Sequence, residues 1–549
     1  MKNFIYIIAG LTLMGLGACT KLDENVYDQI TSDRFYTNRN EILSAVLRPY
    51  THANAWVTPA DQRNWWELSE LSSDQLAWPT KGPHGEDGGK WKRLHYHSWF
   101  VNDDYINNAW TLMYWGMGLC SDPIQKISAR EPSAMGITQE EKDSYLAELR
   151  LLRAFHYLKI MDLWGNVPIS TEPASGVSVE LPSTTPRAEV FAFIEKEIKD
   201  NIDKAPKLSK QMLGRMTQAG AYAMLVELYL NAEVWTGTPR WDDCIAAADA
   251  LISGQGGGQN GAMALDPNIS DQFMTDNHLS KEVIFSIAYD FTRANFQPSW
   301  PSEFYHFKQR EIYGGGRNGN NGVVVIPGVY TTYDDEDLRK TNWLRIGPQV
   351  RFEDGDPVTG AEEYQGEQLV FVDEIRRASR GETSSTMSDG EENSGVRFDK
   401  YKLGNSLAGI VNGVRVAPDP EYNNTDWNVY RLTWIYFAKA EALMRKNGGS
   451  ANAQAVELIN TSKRRAFSDA DWSSHAYTTS SLTLEELLAE RGREFIFEGF
   501  RRSDLIRFNK YTTDAWWDHQ PSTETRKLFP IPQQQRSLNR NLDQNPGYN

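Results

Sequence analysis

The chain has 549 residues, of which 40% are hydrophobic and 12% aromatic, the composition of a folded globular protein. The formal net charge of −16 argues against a nucleic-acid partner, because such partners require a basic surface. Cys19, Cys120 and Cys244 are the three cysteines, too few for a disulfide framework. The sequence does not decide whether Cys120 and Cys244 form a bridge.

The N-terminus predicts a lipoprotein signal peptide over residues 1–18. Lys2 precedes a short apolar run, Phe4 to Leu16, that ends in Leu-Gly-Ala-Cys. This ending resembles the lipobox of bacterial lipoproteins, which implies lipid attachment at Cys19. An ordinary signal peptide with a chance cysteine is the alternative. No later segment predicts a membrane span, and the lipobox alone does not choose a membrane or a membrane face.

The region 19–253 is predicted to be largely helical, with an aromatic loop at 56–100. Asn40–Leu47 should form a helix that ends near Pro49. Eight of the 18 tryptophans lie between Trp56 and Trp115. Ser72–Lys92 contains two prolines and four glycines, which predicts an exposed loop.

Amphipathic periodicity predicts several longer helices in the same region. Residues 141–164 carry apolar stripes on two sides, the pattern of a helix packed between neighbours. Ala188–Ile202, Thr217–Trp235 and Trp241–Ser253 are further predicted helices. Short polar turns between them favour antiparallel helix pairs.

The region 254–549 divides into three parts. Residues 254–428 are irregular, with glycine-rich stretches that lack the lysine and the strand-to-helix setting of a phosphate loop. Residues 429–510 predict helices at Tyr430–Lys446, Ala451–Phe467 and Thr483–Lys510. Residues 511–549 are predicted to form an extended tail.

Thr483–Lys510 carries an unusual density of charge. Glu490, Glu494 and Glu498 recur at four-residue steps and are interleaved with arginines. These carboxylates fit either a structural network of Glu and Arg or a catalytic pair of the kind used in glycoside hydrolysis. The structural network is favoured, because catalytic acid and base usually come from separate elements across a cleft.

Several separated segments together resemble the SusD/RagB family of starch-utilisation lipoproteins. The resemblance departs from the usual family pattern at Asn166, Thr433 and Ser462-Lys463. The segments that carry it, in chain order, are 148–169, 217–235, 430–442, 455–466, 484–510, 529–532 and 544–548.

The resemblance implies a mainly α-helical fold. Four tetratricopeptide-like helix pairs would form a scaffold, and an irregular, loop-rich region would carry the ligand site. It also implies residence on the outer face of the bacterial outer membrane. There the chain would capture an oligo- or polysaccharide and deliver it to a SusC-like, TonB-dependent transporter.

A sugar-binding site is expected on exposed aromatic side chains, since an indole can stack on the apolar face of a sugar ring. Neighbouring polar groups would bond the hydroxyls. The candidates are Trp66, Trp78, Trp91, Trp300 and Tyr305 for stacking, and Asp74 and Arg93 for hydrogen bonding.

Two other functions remain open. A surface glycoside hydrolase would need carboxylates such as the Asp334–Asp337 cluster, which a solvated acidic turn explains equally well. A docking scaffold would bind only protein. No cofactor is predicted; calcium is conceivable, although no EF-hand loop is present. His95 and His97 are expected to be structural or sugar-contacting rather than metal ligands.

Overall fold

A computed structural model describes residues 35–59, 64–172, 180–290, 298–402, 410–411, 414–415 and 424–548. The predicted signal peptide, 1–18, and the predicted lipid-attachment residue, Cys19, lie outside the described residues. Within the described part of the chain, no helix combines the length and the apolar character needed to cross a bilayer.

Helices dominate the fold. Several of them begin at capping residues: Thr138 and Glu141, for example, form a capping box at the start of the helix Gln139–Trp164. The described helices are α1 Arg39–Val57, α2 Trp65–Glu70, α3 Lys90–His95, α4 Asp104–Ser128, α5 Gln139–Trp164, α6 Arg187–Asn201, α7 Gln218–Leu230, α8 Ala232–Thr236, α9 Trp241–Ile252, α10 Pro301–Phe304, α11 Gln309–Tyr313, α12 Leu338–Asn342, α13 Leu432–Lys446, α14 Ala453–Lys463, α15 Trp472–His475, α16 Leu484–Phe495, α17 Arg501–Arg507 and α18 Gln533–Leu538.

The long helices pack as four successive pairs. These are α1 with α4, α5 with α6, α7 with α9, and α13 with α14. Contacts of α4 with α5 and of α9 with α13 join neighbouring pairs. The arrangement is a helical scaffold of the kind implied by the resemblance, and the mainly-α class is confirmed.

The strands are short and form two-stranded antiparallel pairs. The longest pair joins Val283–Ile287 and Trp427–Arg431, with Trp427 opposite Ile287 and Arg431 opposite Val283. The described strands are β1 Leu76–Ala77, β2 Val167–Pro168, β3 Thr184–Thr185, β4 Val283–Ile287, β5 Val324–Val325, β6 Leu344–Arg345, β7 Gly347–Pro348, β8 Val370–Phe371, β9 Arg397–Phe398, β10 Ile410–Val411, β11 Val414–Arg415 and β12 Trp427–Arg431. The pairs are β1–β5, β2–β3, β4–β12, β6–β9, β7–β8 and β10–β11.

Some predictions of secondary structure are wrong. The tail 511–549 is not wholly extended, because it contains α18. The first helix does not end near Pro49, because α1 continues through this buried proline to Val57 while packing on α4. Thr483–Lys510 is not one helix but two. Between α16 and α17, Phe497 and Gly499 adopt positive φ, and the chain turns there against Trp65.

The glutamates of this last segment are buried and paired with arginines from distant parts of the chain. Arg339 lies 2.7 Å from Glu490 and 2.9 Å from Glu494. Arg431 lies 2.9 Å from Glu494 and 2.8 Å from Glu498. Burial by itself raises the pKa of the Glu490 carboxyl, but the neighbouring arginine charges hold it well below its ordinary value. The glutamates therefore join segments of the scaffold as a structural network.

Cys120 and Cys244 are buried free thiols. They lie on α4 and α9 respectively, and burial raises the pKa of both. The bridge that the sequence left open is not formed.

Candidate functional site

Four segments that are rich in loops and short helices meet outside the long helices, and we call this surface the loop-rich face. The segments are 78–100, 301–322, 384–395 and 516–519. The Thr80 amide donates to the Met387 carbonyl at 2.8 Å, and Lys81 Nζ donates to the Gly322 carbonyl at 2.6 Å. The Met387 amide donates to Asp518 Oδ2 at 2.7 Å, which ties in the fourth segment.

The predicted stacking residues are not exposed on this face. Trp66, Trp78, Trp91, Trp300 and Tyr305 each have at most 5% of their surface accessible. A buried ring offers no free surface on which a sugar can stack. The prediction that these five side chains form an exposed platform is therefore wrong.

Trp78 and Trp91 are buried because they cover each other. Their rings stack with centroids 4.5 Å apart and planes 4° from parallel. Gly322 lies directly over the Trp78 ring, where a Cβ atom would come within 2.7 Å of it. Part of Ser72–Lys92 is thus folded under another loop, and the prediction of a wholly exposed loop is wrong.

Trp66, Trp300 and Tyr305 belong to the core. Trp66 donates its indole N–H to the Phe497 carbonyl at 2.8 Å and contacts Trp427 edge-to-face. Trp300 packs edge-to-face on Tyr305, and it also contacts Trp427 at a centroid distance of 6.1 Å. These rings hold the irregular segments to β12 rather than meeting solvent.

The two predicted hydrogen-bonding residues are held in ion pairs. Asp74 accepts two hydrogen bonds from Arg501, at 2.6 and 2.8 Å. Arg93 donates through Nε to Asp103 at 2.9 Å, and its guanidinium lies over the Phe100 ring. Both side chains remain partly accessible. Their role in sugar binding stays a prediction.

Other aromatic side chains are exposed on the loop-rich face. Tyr96 is 36% exposed and Phe100 47% exposed, and Trp517 is partly exposed. Tyr96 and Trp517 both contact the ring of His95, with centroid distances of 5.5 and 5.4 Å. We call Tyr96, Phe100 and Trp517 the aromatic edge.

Polar groups lie directly beside the aromatic edge. Tyr96 donates its hydroxyl to Asp518 Oδ2 at 2.6 Å, and Trp517 donates its indole N–H to Ser385 Oγ at 2.9 Å. Apolar rings next to carboxylate, hydroxyl and guanidinium groups match the two kinds of surface on a sugar, its C–H face and its hydroxyl rim.

Buried histidines support the aromatic edge from beneath. His95 donates through Nε2 to the Trp517 carbonyl at 2.9 Å, and His519 Nδ1 bonds the His95 carbonyl. His97 Nε2 donates to the Ser72 carbonyl, so the expectation of a structural role for this pair fits its contacts. Burial lowers the pKa of His95 to about 3, so its ring is neutral at pH 7. Among the described residues, no group of three or more His, Cys, Asp or Glu side chains is arranged to hold a metal ion.

The Asp334–Asp337 cluster is a turn stabilised by its own neighbours. Asp337 is buried, caps α12 and pairs with Arg339 at 2.7 Å. Asp335 is exposed and pairs with Lys340 at 2.6 Å. The cluster therefore has a structural explanation.

Local sequence patterns contain little that indicates the aromatic edge. Tyr96 follows α3 as its C-cap, and Phe100 lies in the short connection to α4, both within the predicted aromatic loop 56–100. Trp517 comes from the tail, more than 400 residues later. Proximity of Tyr96 to Trp517 depends on the tertiary fold, which no local pattern reveals.

Comparison with known proteins places the chain in a family. The sequence profile of the SusD family matches residues 281–525, and the profile described as "Starch-binding associating with outer membrane" matches residues 22–230. The starch-binding protein SusD of Bacteroides thetaiotaomicron is 25% identical over 446 residues, which are 75% of this chain and 74% of that protein.

Solved structures share the fold. A SusD superfamily protein from Parabacteroides distasonis aligns with 95% of this chain and all of that chain, with a TM-score of 0.69 and 18% identity. Surface glycan-binding protein A from Bacteroides thetaiotaomicron, in complex with laminarihexaose, aligns with 93% of this chain and all of its own, with a TM-score of 0.66 and 19% identity. The two profile matches together span most of the sequence, and the chain belongs to the SusD/RagB family.

Proposed function

We propose that this protein is a non-catalytic, cell-surface glycan-binding lipoprotein of the bacterial outer membrane. It captures an oligo- or polysaccharide at the loop-rich face and delivers it to a SusC-like, TonB-dependent transporter. Cys19 carries the lipid anchor. The similarity to a starch-binding protein and to a glycan-binding structure supports this role.

The observation that carries the proposal is the aromatic edge. Tyr96, Phe100 and Trp517 present apolar surface to solvent, beside the polar groups of Asp518 and Arg93. This combination suits a neutral ligand that has both apolar and hydroxylated faces.

Hydrolysis is disfavoured because the most prominent carboxylates are not available to a sugar. Glu490, Glu494 and Glu498 are buried and paired with basic side chains. A glycosidase needs one protonated and one ionised carboxyl group facing the scissile bond.

The experiment is isothermal titration of the full-length chain against a panel of soluble glycans, with the products of each incubation analysed by chromatography. Glycan binding without cleavage is expected. Cleavage would favour the hydrolase. No binding across the panel, together with capture of a transporter, would favour the docking scaffold.

A further inference from the structure

A second pocket lies between the scaffold and the C-terminal tail, and it shares no residue with the aromatic edge. Its volume is about 560 Å³, within the range of small-molecule sites. It is bounded by the end of α5, the start of α6, α8, α17 and the tail segments 524–528 and 545–546. Val234, Trp235, Ile506, Leu528 and Pro546 supply its apolar wall.

One cation in this wall has no carboxylate partner. Arg187 Nε is buried and forms no hydrogen bond, while Nη2 donates only to the Asp162 main-chain oxygen at 3.3 Å. Its guanidinium lies 5.4 Å from the centroid of the Trp235 ring. Among the residues that the structure describes, no carboxylate lies within ion-pair distance of Arg187.

The other cations around the pocket are fully engaged. Arg507 pairs with Glu441 at 2.6 Å, and Lys527 pairs with Glu524 at 2.6 Å. The carboxylate of Asp162 is bound by Arg502 at 2.9 Å. Arg187 therefore differs from these neighbours in forming no ion pair with a described side chain; the carboxylate whose charge it shares, Asp162, is bound by Arg502.

A guanidinium that forms no ion pair at the edge of a cavity is stabilised further when a ligand supplies an anion. Burial lowers the pKa of Arg187; the charge of the Asp162 carboxylate opposes this shift, and the charge of Arg502 adds to it. A guanidinium binds a carboxylate through charge-assisted hydrogen bonds, and in Arg187 the terminal Nη groups would supply them, because Nε is buried. The apolar wall beside it would cover the rest of such a ligand.

We propose that this pocket binds a carboxylate attached to an apolar body, and that Arg187 is the group that recognises the carboxylate. The body packs against Val234, Leu528 and the neighbouring apolar side chains. The chemistry fits a small free acid or the C-terminal residue of a peptide. The proposal does not depend on glycan binding.

The test measures binding to the full-length chain by isothermal titration. The probes are phenylacetate, N-acetyl-leucyl-phenylalanine and the C-terminal amide of that dipeptide. The acid dipeptide should bind at least about tenfold more tightly than the amide, because the amide cannot accept a charge-assisted pair of hydrogen bonds. Phenylacetate binding as well identifies a site for free acids, whereas binding of the acid dipeptide alone identifies a site for chain termini.

Variants locate the site. Arg187→Met should lower the affinity for the acid dipeptide by about tenfold or more. Arg187→Lys should lower it by less, since lysine keeps the charge but lacks the paired N–H donors of the planar guanidinium. Arg150→Met is the matched control: Arg150 lines a different cleft and hydrogen-bonds Asn201, so its loss should leave binding unchanged. Equal binding of acid and amide, no binding of either acid at millimolar concentration, or unchanged binding in Arg187→Met would each overturn the proposal. The acid–amide comparison needs no variant, so it decides the matter even if Arg187→Met does not fold.

Discussion

Phe100 offers the sharpest test of the aromatic edge, because so much of its ring is accessible. Full burial of a phenylalanine side chain is worth roughly 1.5–3 kcal/mol. Because 47% of Phe100 is exposed, a sugar stacked on the ring can gain about half of this burial free energy, or about 1 kcal/mol. Phe100→Ala should therefore weaken glycan binding about fivefold.

The assay is isothermal titration with a glycan that binds in the panel. The fold should tolerate the change: the ion pair between Arg93 and Asp103 does not involve the ring, and the lost cation–π contact is worth about 1 kcal/mol or less. Trp115→Ala is the matched control, since Trp115 is 55% exposed but lies on α4 against His52. An affinity that changes less than twofold in both Phe100→Ala and Trp517→Ala would refute the assignment of the aromatic edge.

Three further predictions concern the stability of the fold. Arg431→Met should lower the free energy of unfolding in urea by about 3–5 kcal/mol, because it leaves buried carboxylates without their partner. Arg351→Met removes an exposed ion pair and should have a much smaller effect, and equal losses would contradict a structural network. Burial raises the pKa of Glu70 to about 8, so its contribution to stability is complete below pH of about 4.3 and is lost as the pH rises towards 8. The free energy of unfolding of Glu70→Gln should then equal that of the wild type at pH 4 and exceed it by about 3 kcal/mol at pH 7. A difference between the two proteins that does not change with pH would rule this out. Gly322→Ala should lower the melting temperature, because the added methyl group crowds the Trp78 indole. Gly118→Ala is the control and should not lower it, since its Cβ position is in open space. An unchanged melting temperature in both variants would show that the loop containing Gly322 moves freely away from Trp78.

The helices were predictable because their signals are local. The two apolar stripes of 141–164 and the caps at Thr138 and Thr483 are contained in single segments, and the structure begins α5 within two residues of the prediction. The continuation of α1 through Pro49 was not predictable in this way, because packing on α4 outweighs the helix-breaking tendency of one proline.

The exposure of the aromatic side chains could not be predicted from local sequence. Trp78 lies in a segment rich in proline and glycine, which suggests a solvated loop, yet Gly322, 244 positions away, covers its ring. Such glycines allow one backbone to lie flat on an indole, so the same composition that suggests an open loop also permits close packing. Whether a ring is covered is decided by the partner segment, not by the segment that contains the ring.

The residues behind the family resemblance and the residues of the candidate site are separate sets with different physical roles. Glu490, Glu494 and Glu498 belong to a recognisable motif, and they are buried in ion pairs that connect distant segments. Removing one member leaves a buried charge unpaired, so these positions resist change whatever the ligand is. Tyr96, Phe100 and Trp517 lie outside those motifs and face solvent, where substitution costs the fold little. Substitutions on the loop-rich face can therefore alter ligand preference without disturbing the ion-pair network. For this reason the family can be recognised from the sequence, whereas the glycan depends on residues outside the family motifs.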